Sequence, residues 1–305
     1  MIASDSLANV LYVDLSRHSY RVERREDLFV DDVGGAGAGI RLLEENCPIG
    51  TDPLGPDNPI VLAVGALTGL FPLASKTVAM FKSPHTGDLG ESHGGGRSAI
   101  AIRSAGLGAI VITGESSTPV WLAVHGHNVF IRDADIVWGM ASLFTVGRVI
   151  RDNEPGAGVR SIMRIGRAGE EKVPYACVTT ETYRHFGRLG LGAVFGSKKL
   201  KALVVSGDTI IPTADPKEYK RVYEDLFAAT QSDVMRKYHD LGTAENITPL
   251  NAIGGLPTRN LLSGRMPDAE RISGEGLADA AGSAGYQGHF LFFGHDRLRI
   301  FWPLG

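Results

Sequence analysis

GRLGLGAVFGSKKLKALVV, residues 187–205, sets Gly187, Gly190, Gly192 and Gly196 around Arg188, follows them with Lys198, Lys199 and Lys201, and closes in an apolar run. Backbone N–H groups approach an anion closely only where side chains are missing, and glycine also reaches the φ > 0 conformations that aim successive N–H groups at one point. The stretch therefore reads as an anion cradle leading into a buried strand. The competing reading is mechanical, with glycines for close helix packing and lysines for a solvated face.

Spacing argues against nucleotide loops. A P-loop requires lysine directly after its last glycine, with serine or threonine next, whereas Gly196 is followed by Ser197 and only then Lys198. A dinucleotide fingerprint requires GxGxxG, but Gly190, Gly192 and Gly196 give GxGxxxG, and GGAGAG at 34–39 misses the spacing as well. A second cluster, KSPHTGDLGESHGGGRSAIAIRSAGLGAIVITG at 82–114, runs Gly94, Gly95 and Gly96 after His93, with Arg97 beside them. Two glycine-rich, arginine-bearing loops in one domain imply one ligand with two phosphates, or two related ligands. His93 alone reads more readily as a turn or core histidine than as a ligand.

The flanking sequence predicts mostly short strands. NVLYVDLSRHSYRVE at 9–23 reads as an antiparallel hairpin. Further strands are expected within 56–69 and at 77–82, 108–113, 120–125, 129–132, 161–165 and 203–205, and helices at 40–46, 141–152 and 192–200. Alternation of strand and helix is too irregular for a doubly wound sheet, so the fold class is α+β, with a first domain over 1–212. A helical domain is expected to begin at 213–281: Asp215 caps a helix with Pro216 at its first position, Glu218 reaches back, and Tyr219, Val222, Tyr223 and Leu226 form one apolar stripe. Gly242 is the expected stop of that helical region.

Composition bounds the function. The 305 residues are 43% hydrophobic and 21% charged with a net charge of -3, which gives no general attraction to nucleic acid or anionic membrane. Neither a long apolar run nor a signal peptide is evident, so the expected address is cytoplasmic. Cys47 and Cys177 are too far apart and too unlike in surroundings to write a metal motif or a disulfide framework.

Taken together, KSPHTG, SHGGG and AGLGAIVITG, YRHFGRLGLGAVFGSKKLKALVVSG, the opening VLYVDLSRHSYRVE, NPIVLAVGALTG and the later LGTAENITPLNAIGGLPTRN make the chain resemble the tungsten-containing aldehyde ferredoxin oxidoreductase family. The resemblance covers about residues 9–280. It implies two similar β-rich halves forming a base, on which two pterins sit with tungsten, or molybdenum, between their dithiolenes. It further implies that Lys76 and Arg184 lie near pterin phosphates, with Lys76 replacing the family's usual arginine. Gly94, Gly95, Gly96, Gly187, Arg188 and Gly190 belong to the same cofactor-binding set. The backbone carbonyls of His93 and His185 are implied to hold a magnesium ion bridging the phosphates. His93 stands where asparagine is common, and Leu189 where glycine is common.

Family members are about twice as long and carry a CxxCxxxC motif that, with a fourth cysteine, holds a 4Fe-4S cluster; this chain has no such motif. The expectation is the front part of such an enzyme, inactive alone, with 282–305 a divergent tail such as a shifted reading frame leaves. For a complete enzyme the resemblance implies an aldehyde substrate, ferredoxin as electron acceptor, and a homo-oligomer or a companion subunit. Two alternatives remain open: a catalytic-type subunit of a larger tungsten enzyme such as a benzoyl-coenzyme A reductase, and a non-catalytic module that holds a pterin or an anion.

Overall fold

The computed structural model describes residues 6–154, 156, 158–181, 183–235 and 240–277, and the tail expected at 282–305 lies outside them. Contacts divide the chain into two units, Met1–Pro216 and Lys217–Gly305. The first unit contains, in order, β1 (Asn9–Asp14), β2 (Ser19–Arg24), α1 (Asp27–Val30), α2 (Gly35–Asn46), β3 (Ile60–Val64), β4 (Thr77–Lys82), β5 (Leu89–Gly94), α3 (Ser98–Ser104) and β6 (Ala109–Thr113). It continues with β7 (Val120–His125), β8 (Asn128–Asp133), α4 (Leu143–Asn153), β9 (Val159–Arg164), α5 (Arg167–Glu170), β10 (Val178–Thr180), β11 (Arg184–Phe186), α6 (Leu191–Ser197) and β12 (Leu200–Gly207). Helices on mixed sheets make this the expected α+β architecture.

The two runs are one plan used twice. The first sheet orders its six strands β2-β1-β6-β3-β4-β5, and the second, read from its other end, orders them β8-β7-β12-β9-β10-β11. Pairing directions agree strand for strand: β1 with β6 and β7 with β12 are parallel, and the other ladders are antiparallel. Sequence supports the repeat, since AIVITG at 109–114 and ALVVSG at 202–207 fill equivalent strands. β3 is buried along its whole length, and its unbroken apolar run fits a strand covered on both faces. β2 and β8 close the outer edges with arginines and acids, which discourages further strand pairing.

The inner edges, β5 and β11, meet. Register makes their residues equivalent: Thr77 pairs with Gly94 as Val178 pairs with Phe186, so Gly94 corresponds to Phe186 and His93 to His185. Gly94 and Phe186 face each other across the local twofold relation, where only one of two equivalent residues has room for a ring. A Cβ added at Gly94 would lie 2.5 Å from the Phe186 ring, which is itself fully buried. Contacts on either side repeat the symmetry. The Arg188 N–H donates to Ser92 Oγ at 3.2 Å, and at the equivalent pair the Cγ of Arg184 lies 3.4 Å from the Cβ position of Gly96.

Buried polar side chains tie the halves further. Lys198, fully buried, donates from Nζ to the carbonyls of Pro56 and Gly114, 2.9 Å each, so a second-half lysine satisfies two first-half carbonyls. Lys201 is likewise buried and pairs with Glu170. Neither lysine forms the solvated face or the anion contact that the KKLK run suggests. Lys199 takes φ 54 and ends the helix expected at 192–200 after Ser197. At the far end of the second sheet Glu154 accepts from Trp121 Nε1 (2.9 Å) and Arg132 Nε (3.0 Å) and lies 3.0 Å from His125 Nε2. Burial raises its pKa, but those three partners outweigh burial and hold the carboxyl below its ordinary value.

In the second unit α7 (Pro216–Thr230) starts at the expected proline, and the Tyr219, Tyr223 and Phe227 rings follow one another at 6.0 and 6.3 Å. It ends well before the expected stop at Gly242, which instead opens a 3₁₀ turn, Gly242–Asn246. The Thr230 and Ser232 hydroxyls take the carbonyls of Phe227 and Ala229 there, a local competition that frays helices. A short α8 (Ile247–Ala252) follows.

Two outcomes check this packing. Gly94→Ala should lower stability by about 1–3 kcal/mol through overpacking, with partial rescue in the double variant with Phe186→Leu. Urea melts that leave Gly94→Ala equal to the unsubstituted chain would contradict the tight seam. Burial pushes the Lys198 ammonium from 10.5 down to about 8, so between those values the unfolded chain binds the extra proton and stability rises with pH. The stability difference between the unsubstituted chain and Lys198→Met should therefore grow by on the order of 3 kcal/mol from pH 8 to 10.5, and a flat difference would refute it.

Candidate functional site

The β5–β11 seam places most of the residues singled out by sequence along one line. His93 and Gly94 end β5, so the first cluster is a strand end before it becomes a loop. Exposed Lys76 directly precedes β4, whose first residue, Thr77, pairs with Gly94. The Arg184 side chain runs from β11 along the other half's loop, its Cδ 3.7 Å from the Cβ position of Gly95, and its guanidinium stands 5.5 Å from the Tyr183 ring centroid. Arg184 and the Gly95–Gly96 backbone are thereby brought together.

Open backbone marks the site from the other half. Gly187 is exposed and a Cβ there would meet nothing within 4 Å, so its backbone is accessible from that side. Arg188 is exposed beside it. His93 Nε2 lies 2.6 Å from Glu91 Oε1, and His185 Nδ1 lies 3.0 Å from Thr179 Oγ1. β5 and β11 are edge strands, and an edge strand presents carbonyls that no ladder uses.

Two of the singled-out glycines have packing reasons instead. Gly94 makes room for Phe186, and Gly190 is buried at φ 84, where a Cβ would fall 2.1 Å from the Pro174 carbonyl oxygen. Leu189 holds φ 61, which explains in physical terms why glycine suits that position. Its carbonyl accepts from Ser83 Oγ at 2.8 Å, another bond across the halves.

Sequence reading missed Ser83, Ser92, Phe186 and Glu181 as the supports of these loops. The signal was there in the repeat: aligning the two halves sets His93 on His185 and Gly95 on Gly187. As a whole the seam offers Lys76, Arg184 and Arg188 around bare peptide backbone, an arrangement suited to holding anionic oxygens by charge-assisted hydrogen bonds. Among the described residues no group of three or more His, Cys, Asp and Glu is placed to hold a metal ion directly.

Known proteins match this architecture. The family model described as aldehyde ferredoxin oxidoreductase, N-terminal domain, matches residues 10–207. The tungsten-containing aldehyde ferredoxin oxidoreductase of Thermococcus kodakarensis is 35% identical over 274 residues, covering 88% of this chain and 44% of that protein. The aliphatic sulfonate oxidoreductase WOR-like subunit of Pyrococcus furiosus is 34% identical over 242 residues, covering 72% of this chain and 38% of that protein. Among solved structures, the active-site complex of benzoyl coenzyme A reductase with 1,5-dienoyl-CoA is similar at a TM-score of 0.71 and 28% identity, covering 80% of this chain and 37% of that one. The chain thus spans less than half the length of these relatives. It belongs to the aldehyde ferredoxin oxidoreductase family.

Proposed function

We propose that the β5–β11 seam is the protein seat of a bis-pterin cofactor carrying tungsten or molybdenum. The observation that supports it most is the local twofold relation: two equivalent strand-to-helix loops, at Gly95 and Gly187, flank one seam. A ligand with two like anionic halves fits two like loops. In this reading the Arg184 guanidinium and the Lys76 ammonium bind pterin phosphates, and Gly95 and Gly187 let phosphate oxygens reach backbone N–H groups. The carbonyls of His93 and His185 would face a magnesium ion shared by those phosphates. Open space at Gly187, where an added Cβ meets nothing within 4 Å, fits such an approach.

Bound there, the cofactor would supply the redox chemistry, and this chain's residues would position it. Phe186, buried in the seam, keeps the two loops at a fixed separation. For the whole protein the proposed reaction is oxidation of an aldehyde to a carboxylic acid, with water supplying the added oxygen, two protons released, and two electrons passing one at a time through a 4Fe-4S cluster to ferredoxin. Such a cluster takes four thiolates, more than Cys47 and Cys177 provide, so it would be held by sequence other than this chain. A domain boundary at 212–213, with the start of a helical domain following, belongs to the same proposal.

A second reading is favoured by two of the relatives, whose names describe a subunit and an active-site complex. There the chain contributes the same seat to a larger assembly, with a companion polypeptide.

Tungsten, molybdenum, iron and pterin content of the chain produced with tungstate tests the seat. Metal and pterin without iron is the expected result, and Arg184→Ala or Gly187→Val should lower both by on the order of tenfold with the melting temperature unchanged. Equal content in both variants would overturn the assignment, and absence of metal and pterin altogether would favour a bare anion-binding module.

A further inference from the structure

Beside the first glycine loop, Arg97, Arg151, Arg160, Ile162, Glu181, Gly156 and Gly158 line a cleft of about 230 Å³. Among the described lining residues three are arginines and one, Glu181, is an acid. Several arginines elsewhere on this molecule are matched by acids: Arg25 pairs with Asp27 and Glu45, Arg221 with Glu218 and Asp225, and Arg24 with Glu26. Among the described residues, the side chains of Arg97 and Arg151 make neither a hydrogen bond nor an ion pair.

The single acid is already engaged. Glu181 accepts from Ser161 Oγ at 2.5 Å and from Thr180 Oγ1 at 3.4 Å, and its charge acts on buried Arg164 outside the cleft lining. Arg160 is held in place through Nη1, which donates to the carbonyls of Arg151 (3.3 Å) and Glu154. Its Nε and Nη2 make no hydrogen bond among the described residues, so donors remain for a ligand. The glycine wall is fixed by packing: a Cβ on Gly156 would lie 2.7 Å from Ser206 Oγ, and one on Gly158 2.1 Å from the Gly207 carbonyl. Those glycines let the chain ahead of the strand bearing Arg160 lie close against Ser206 and Gly207 of β12.

We propose that this cleft binds a phosphate group, as inorganic phosphate or a phosphate monoester, as a site separate from the cofactor seat. Planar guanidinium forks match the oxygens of a tetrahedral dianion, and an unmatched positive cluster attracts one. The small volume suits a compact anion rather than the acidic surface of a folded partner. The site adjoins the first glycine loop, because Arg97 follows Gly96 and the Cγ of Glu181 lies 3.6 Å from the Gly96 Cβ position. Its argument uses none of the cofactor assignments.

Calorimetric titration of the full chain at low salt with inorganic phosphate, and separately with phenyl phosphate, tests the proposal. Saturable one-to-one uptake is expected, weakened on the order of tenfold by each of Arg97→Gln and Arg151→Gln, with unchanged melting temperature and uptake retained in Arg184→Ala. Uptake of both ligands identifies the phosphate group itself as the determinant, and uptake of phenyl phosphate alone identifies a monoester as the source. The proposal is overturned if neither phosphate binds, if only polyglutamate binds, or if binding survives both glutamine variants. Loss in Arg184→Ala alone would place phosphate at the seam and overturn the separate site without bearing against the cofactor seat.

Discussion

Everything distinctive about the first unit depends on one contact, the Phe186 ring lying on the bare backbone of Gly94. Two sheets built to the same plan meet there by their inner edges, and a twofold relation brings equivalent residues face to face. Close packing leaves room for one ring and no second side chain. With the ring in place, both edge strands are held at a fixed distance, and the loops that follow them emerge side by side. A seat for a ligand with two similar halves is what such a junction provides.

Polar groups reinforce the junction in a way that hydrophobic burial alone could not. A buried unpaired carbonyl is costly, so Lys198 reaching Pro56 and Gly114 fixes where the second half's last strand lies against the first half. Desolvating that ammonium is itself unfavourable, which its lowered pKa records. The Ser83–Leu189 and Ser92–Arg188 bonds do similar work nearer the loops, at smaller electrostatic cost. Rigid supports of this kind matter because phosphate recognition by backbone N–H groups tolerates little displacement.

Sequence made the interior strands legible and the seam illegible. Val10–Val13, Ile60–Val64 and Ala109–Thr113 declare themselves through apolar and β-branched runs that any buried strand would show. LGESHG does not, because β5 is a strand only through its ladder to β4 and carries glycine where the other half's ring must fit. β10 and β11, three residues each, are too short for any period to register. The lysines after Gly196 misled for a different reason: their partners are carbonyls and a carboxylate distant in sequence, which composition cannot reveal. The candidate site was readable residue by residue through resemblance, yet its geometry, with Arg184 of one half lying along Gly95 and Gly96 of the other, required the fold.

The repeat joins these strands of argument, since it gives the seam its symmetry and the loops their equivalence, and it is the physical basis for expecting a paired anionic ligand. Crystals of the tungsten-loaded chain measured at the tungsten absorption edge test that most directly. The account expects the anomalous peak over the β5–β11 seam, between the Gly95 and Gly187 loops. A peak anywhere else on the molecule, with the metal shown to be bound in solution, would contradict it.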